Sequence, residues 1–242
     1  MCAYGQTGSG KTFTMDGTIG NSGVISRTVD LLFDSIKAYR NLGWQYQTKG
    51  QYLEIYNEVL YDVLDNESKA MEIHMTRSDK NDVYISNITQ ETVKNADCLR
   101  QLMRIAKMNR ATAATAGDER SSRSHAVTNI ELIGSHAERR GTSKGSINLA
   151  DLAGSQSLKR NMRLNETKNI NRSSSELTNV ILALLHKQDH IPYRNSKLTH
   201  LLMPCLGGHS KTLIFINVAP LQDCFNESLK SLRCESMQNY EN

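Results

Sequence analysis

The densest chemistry in the chain lies close to its start. Gly5-Gln6-Thr7-Gly8-Ser9-Gly10-Lys11-Thr12 fits the spacing G-x-x-x-x-G-K-[ST], in which glycines let the backbone fold so that its N–H groups converge on a phosphate. In that pattern Lys11 reaches the β and γ oxygens as a point charge, and the Thr12 hydroxyl ligates Mg²⁺. Background residue frequencies produce such a match in roughly one chain of this length in a hundred. The bland alternative, a flexible Gly/Ser turn, therefore starts far behind. Lys11 and Thr12 are read as opening a helix whose N-terminus adds to the anion site.

A phosphate loop does not name a reaction by itself; a second anchor for Mg²⁺ and a sensor for the terminal phosphate are needed. Ile147-Asn148-Leu149-Ala150-Asp151 is a largely apolar strand ending in a carboxylate, which suits Asp151 as the second anchor. Gly154, three residues on, has an N–H that a γ-phosphate could use. Ser121-Ser122-Arg123-Ser124-His125 offers hydroxyls and a guanidinium just before a predicted strand, where a phosphate-sensing loop would sit. Taken singly, an Asp such as Asp151 is more often a plain turn residue, and the alternative for the serine cluster is a capped polar turn.

These groups must be positioned by a regular scaffold. Val29, Leu32, Phe33 and Ile36 predict a helix from Arg27 to Tyr39, stopped at Gly43, and Trp44 to Tyr56 reads as a strand. A short helix is expected through Val59, Leu60 and Val63, and a hairpin from Met71–Met75 and Val83–Ile85 about Ser78–Asn81. Asn95 caps a helix bearing Leu99, Leu102, Met103 and Ala106. Strands follow at Val127–Ile133 and Ser146–Ala150, joined through Arg139-Arg140-Gly141. Gly154 to Thr167 has no clear period and reads as a loop or a conditional helix. Leu177 to Leu185 marks a strong amphipathic helix, Asn195 caps another ending near Pro204, and Thr212–Val218 reads as a strand buried on both faces. Phe225, Leu229 and Leu232 place a last helix. Alternating strands and helices give an α/β class.

Composition narrows the functional range. The 242 residues are 38% hydrophobic and 22% charged with 15 Gly and 3 Pro, which excludes collagen-like and disordered chains. No stretch approaches the roughly 20 apolar residues of a membrane span, and the opening residues are not a signal peptide. Five scattered cysteines without C-x-x-C read as free thiols of a cytosolic protein, not a disulfide framework or zinc cage. A net charge of +4 is too mild to demand nucleic acid and suits an acidic partner if the basic residues cluster. His186 and His190 lack a third metal ligand and read as surface histidines.

Four separated motifs then carry a family resemblance in register. Ala3-Tyr4-Gly5 through Thr12-Phe13-Thr14-Met15, Ser121 through His125, Asp151 through Ser155, and Ile191-Pro192-Tyr193-Arg194-Asn195-Ser196-Lys197-Leu198-Thr199 resemble the kinesin motor domain over essentially the whole chain. The likeness is greatest to its C-terminal-motor, minus-end-directed branch. It implies a P-loop NTPase with a central mixed β-sheet flanked by helices on both faces, and an ATPase with Mg²⁺ coupled to movement on microtubules. On the matching positions it implies that Gly5, Gln6, Thr7, Gly8, Ser9, Gly10, Lys11 and Thr12 hold the phosphates and that Phe13 lies against adenine. Thr12, Ser122 and Asp151 would hold Mg²⁺, while Ser121, Ser122, Arg123, Gly154 and Gln156 would form the two switches. Lys168, Asn171, Arg172, Tyr193, Arg194 and Lys197 would face acidic tubulin. The resemblance places the protein in the cytoplasm on the microtubule cytoskeleton, spindle included, with neither nucleic acid nor membrane as partner. Full-length members dimerise through a coiled coil that this sequence does not contain.

Several positions depart from the family pattern. Gln156 stands where kinesins carry the Glu that pairs with the switch Arg123, and losing one partner of a buried ion pair costs about 3–5 kcal/mol. About 3 kcal/mol of that in the transition state slows hydrolysis by roughly two orders of magnitude. Asp118 stands where Asn is usual, Ser174 replaces a leucine, and Leu232-Arg233-Cys234-Glu235-Ser236 replaces an apolar ending. The family also has several strands ahead of the phosphate loop, so residues 1–242 read as one incomplete motor domain lacking its first strands. Catalytic impairment, leaving a microtubule-binding remnant, is the alternative reading.

Overall fold

The structure, a computed structural model, describes residues 1–65, 67, 69–77, 82–113, 120–136, 138, 141–155, 164–207 and 210–236. In chain order the strands are β1 (Cys2–Gly5), β2 (Gly17–Thr18), β3 (Asn21–Ser22), β4 (Trp44–Tyr56), β5 (Val59–Asp62), β6 (Ile73–Met75), β7 (Val83–Ile85), β8 (Glu91–Val93), β9 (Ser124–His136), β10 (Gly141–Asp151) and β11 (Ile214–Asn217). The helices are α1 (Lys11–Met15), α2 (Val24–Arg40), α3 (Ala96–Ala113), α4 (Arg120–Arg123), α5 (Leu164–Leu185), α6 (Lys197–Leu206) and α7 (Phe225–Ser236).

Among the described residues the main sheet runs β11-β1-β10-β9-β4-β5, with β8 also paired to β4. β1 is parallel to both β10 and β11, while β10-β9-β4-β5 are antiparallel, so the sheet is mixed as expected. Alternate residues of one strand point to opposite faces, and the core divides accordingly. Cys2, Leu53, Val127 and Ala150 join Leu177 of α5 and Leu198 and Leu202 of α6 on one side. Ala3, Tyr52 and Leu149 join Met15, Val29 of α2 and Leu99 and Ala106 of α3 on the other. β1, the strand that feeds the phosphate loop, lies inside the sheet and is paired on both sides, with Cys2 opposite Ala150 and Ile214.

Three local expectations are corrected. Residues 59–63 form no helix: Asn57 and Glu58 adopt φ of 52° and 61°, the two-residue turn that closes a β-hairpin, and β5 pairs back on β4 with Tyr56 opposite Val59. The turn also reaches outward. Asn57 Oδ1 accepts from Asn169 Nδ2 of α5 at 2.6 Å, and Glu58 Oε2 accepts from the Lys197 N–H that begins α6 at 2.9 Å. The cap of α6 is Ser196 and not Asn195: Ser196 Oγ accepts from Thr199 N–H, and Thr199 Oγ1 accepts from Ser196 N–H. Such a cap is worth about 0.5–2 kcal/mol, and Asn195 lies in the preceding single turn Tyr193–Asn195. α6 ends at Leu206, two residues past Pro204, as expected. Finally, β11 is shorter than Thr212–Val218 and only half-buried, because it is the end strand of the sheet.

Trp44–Tyr56 is a strand at the expected bounds, and Asn95 caps α3 through Cys98 N–H to Asn95 Oδ1 at 2.8 Å. The β6–β7 hairpin is present, with its turn at 78–81 outside the described residues. Arg139, Arg140 and residues 156–163 also lie outside them. α5 begins at Leu164, well ahead of the apolar run that signalled it.

Candidate nucleotide site

β1 ends at Gly5 and the chain arcs through Gly10, at φ 92°, into α1. That left-handed conformation suits glycine and aims successive backbone N–H groups into the turn. The helix opened by Lys11 and Thr12 runs only to Met15, so its own dipole contributes little and the loop geometry dominates. Lys11 is buried and its Nζ donates to the Gln6 carbonyl at 2.8 Å. Burial lowers its pKa, opposed by the nearby Asp151 carboxylate. Phe13 is 56% exposed beside the loop, free to lie against a planar group.

The loop is tied to the end of β10. Thr12 Oγ1 donates to Asp151 Oδ2 at 2.7 Å, and burial raises the Asp151 pKa, countered chiefly by that hydrogen bond. Thr7 N–H donates to the Ser155 carbonyl at 3.3 Å and Ser155 N–H to the Gly5 carbonyl at 3.4 Å. A Cβ on Gly154 would sit 2.4 Å from Thr7 Oγ1, so only glycine allows this approach. Gly154 N–H does not point freely at the loop: it donates to the Ser122 carbonyl at 3.1 Å, joining the two predicted switch segments directly.

Five buried oxygens at this junction lack a hydrogen-bond partner: Gln6 Oε1, Thr7 Oγ1, Ser9 Oγ, Asp151 Oδ1 and Asn217 Oδ1. Each such group costs about 1–3 kcal/mol when left unmatched. Their concentration on the phosphate loop and the ends of β10 and β11 marks a surface built for a polar ligand. Hydroxyl and carboxylate oxygens around Thr12 and Asp151 are hard donors that fit Mg²⁺. Asn217 was missed in the sequence, although it was the polar residue ending the apolar run Ile214-Phe215-Ile216; its Nδ2 donates to Thr14 Oγ1 at 2.8 Å.

Ser121, Ser122 and Arg123 lie on α4, with Ser121 exposed and the other two half-buried. A buried carboxylate that sequence reading did not single out holds this turn. Glu54 of β4 accepts from Ser124 Oγ at 2.6 Å, Arg120 Nη2 at 2.8 Å and Arg110 Nε at 3.3 Å. The Arg120 guanidinium also lies over the rings of Tyr56 and Tyr61, 4.7 and 4.6 Å from their centroids. The signal available was a lone acid in the apolar stretch Leu53-Glu54-Ile55. Gln156 and Asp118 lie outside the described residues.

The predicted tubulin-facing residues share one region. Lys168 and Arg172 are exposed one turn apart on α5, Asn171 is half-buried between them, and Arg194 is exposed on the turn before α6. Tyr193 and Lys197 are half-buried, burial raising the Tyr193 pKa. Asn195 Nδ2 donates to Glu176 Oε2 at 2.9 Å, binding this turn to α5. His186 and His190 are exposed, and no grouping of metal-ligating side chains occurs among the described residues.

The family model for the kinesin motor domain matches residues 1–239. The chain is 72% identical over 237 residues to protein claret segregational of Drosophila melanogaster, covering 98% of this chain and 34% of that protein. It is 44% identical to carboxy-terminal kinesin 2 of Xenopus laevis, covering 98% and 39% respectively. The solved motor domain of kinesin-like protein KAR3 of Saccharomyces cerevisiae superimposes with a TM-score of 0.85 at 43% identity, covering 98% of this chain and 73% of that one. The chain thus spans little more than a third of the length of these curated relatives. With its phosphate loop, the ties of that loop to the end of β10 and this match along nearly its whole length, the chain belongs to the kinesin motor domain family.

Proposed function

We propose that this chain binds Mg-ATP at the loop Gly5–Thr12 and couples its hydrolysis to microtubule-based movement through the α5–α6 surface. The observation that carries the reading is the direct joining of three segments: Thr12 to Asp151, and Gly154 to Ser122. A ligand at the phosphate loop is thereby in reach of both switch segments. Kinesin motor domains bind nucleotide with Mg²⁺, and the hard oxygen donors here fit both groups. When bound, Mg²⁺ supplies charge neutralisation of the phosphates.

In this reading Lys11 would exchange the Gln6 carbonyl for the phosphate oxygens, and Thr12, Ser122 and Asp151 would hold the cation. Gly154 N–H exchanges the Ser122 carbonyl for the terminal phosphate, so nucleotide state is read as a movement of the 151–155 turn. Ser121 and Arg123 would close on the developing charge, with Gln156 at the sequence position from which the family orients water. Lys168, Asn171, Arg172, Tyr193, Arg194 and Lys197 meet the acidic surface of tubulin. Dimerisation through a coiled coil, as in kinesin relatives, and a place on the cytoplasmic microtubule cytoskeleton follow from the same reading.

Microtubule co-sedimentation with and without ATP tests it. ATP-sensitive release with stimulated phosphate production is expected. Pelleting that ignores nucleotide favours a microtubule-binding remnant instead, the reading that Gln156 and Asp118 motivate.

A further inference from the structure

We propose that His125 is a positioning residue that transmits movement of the 151–155 turn to helix α5 through Ser173. The inference rests on the nucleotide reading above and specifies the route by which that site would reach the α5 surface.

His125 follows the switch turn on β9 and is 3% exposed. Its Nδ1 accepts from Ala153 N–H at 3.1 Å, and its Nε2 lies 2.8 Å from Ser173 Oγ. Burial, with the charges of Arg110 and Lys11, lowers its pKa to about 3, so the ring is neutral. A neutral ring that accepts at Nδ1 carries its proton on Nε2, and therefore donates to Ser173 Oγ. The Ser173 hydroxyl, itself 1% exposed, donates onward to the Ile170 carbonyl at 2.8 Å. The chain of donation runs in one direction, from Ala153 through His125 and Ser173 into the backbone of α5.

Among the described residues, Ala153 N–H, the His125 ring and the Ser173 hydroxyl make no other hydrogen bond. Ala153 immediately precedes Gly154, whose N–H is bound to Ser122, so a shift of Gly154 toward a phosphate moves the Ala153 N–H as well. His125 must follow, or a buried hydrogen bond breaks. Close packing of the ring makes following the cheaper response. Ser173 adjoins Arg172 and lies five residues after Lys168 on the same helix. Displacement at the turn therefore arrives where the exposed basic residues are carried.

Hydrogen-exchange mass spectrometry on the full chain tests this, comparing Ser173→Ala with Ser174→Ala. Ser174 is a neighbouring buried serine on the same helix outside the relay, so a merely structural loss of a hydroxyl would move both variants alike. A non-hydrolysable ATP analogue with Mg²⁺ should change exchange in peptides covering 150–155 and 164–185. Ser173→Ala should keep the first change and lose the second, whereas Ser174→Ala keeps both. A nucleotide-free arm uses Gly154→Ala, whose added Cβ must push the turn away from Thr7. It should raise exchange in α5, and the Gly154→Ala/Ser173→Ala double variant should not. Persistence of the α5 response without Ser173 in either arm overturns the relay. If the analogue changes exchange nowhere in the parent chain, the nucleotide reading falls, while the Gly154→Ala arm still decides the relay.

Discussion

Thr12 Oγ1 and Asp151 Oδ2 lie 2.7 Å apart, joining the first turn after the phosphate loop to the end of the central strand β10. The same hydroxyl is the one proposed to hold Mg²⁺, and Thr12→Ala should weaken Mg-nucleotide affinity by roughly tenfold or more. Titration with a fluorescent nucleotide checks this, and chelating Mg²⁺ should remove most of the difference between variant and parent. Equal affinities with Mg²⁺ present would separate Thr12 from the cation.

Gln156 should limit turnover. Gln156→Glu is expected to supply the carboxylate that the family carries at this position and to raise microtubule-stimulated phosphate release by roughly a hundredfold. A steady-state phosphate assay reads it directly; no gain would mean that the Gln already serves.

Glu54 holds charges from two segments that flank residues 114–119. Its side chain is 2% exposed, against 18% for Arg110 and 15% for Arg120. Glu54→Gln removes the buried carboxylate that accepts from both guanidiniums and should cost about 3–5 kcal/mol. Arg120→Lys keeps the charge but loses the flat stacking on Tyr56 and Tyr61, and should cost less. Urea denaturation midpoints rank the two, and the reverse order would sink the argument.

Acid should destabilise the fold through His125. Its pKa falls from 6.5 to about 3 on folding, so below pH 6.5 the unfolded chain takes up a proton that the native chain refuses. Stability is present above that value and falls by up to ~1.4 kcal/mol per pH unit as pH drops toward 3. Asp151 acts in the opposite sense nearer its ordinary range, because burial raises its pKa and folding then favours its proton. Urea midpoints at about pH 7.5 and about pH 5.5 should differ in the parent and differ less in His125→Gln, with His200, whose pKa burial also lowers, contributing to the remainder.

The α5 surface should respond to charge and salt. Replacing Lys168 and Arg172 together by Ala should weaken microtubule co-sedimentation by roughly tenfold at low salt and reduce its salt dependence. Both side chains are exposed, so thermal stability should stay within about 0.5 kcal/mol of the parent.

Local chemistry explains what the sequence disclosed. The phosphate loop needs fixed residue types at fixed spacing; apolar periodicity located α2, α3 and α5 because each buries one continuous face, and β4 showed in its aromatic and β-branched content. The Asn57-Glu58 turn escaped because Val59, Leu60 and Val63 also fit a helical period, and only positive φ at both turn residues decides for a hairpin. Glu54 and Asn217 escaped for a different reason. Their partners lie 56 to 203 residues away in sequence, and no local pattern encodes such a meeting. The engagement of Gly154 N–H by Ser122 is likewise a tertiary fact, since neither residue signals its partner.

The same Asn57-Glu58 turn sets a dimension of the molecule. One of its side chains grips α5 and the other grips the first N–H of α6, where an acidic group also suits the helix dipole. Two helices that belong to one face are thus gauged by a hairpin from the sheet, much as a spacer bar sets the width between rails. The span of the surface they present is a property of the strand register of β4 and β5. Substitutions in that turn should change the spacing of α5 and α6 through Asn169 and the Lys197 N–H alone, leaving the exposed side chains of Lys168, Arg172 and Arg194 in place.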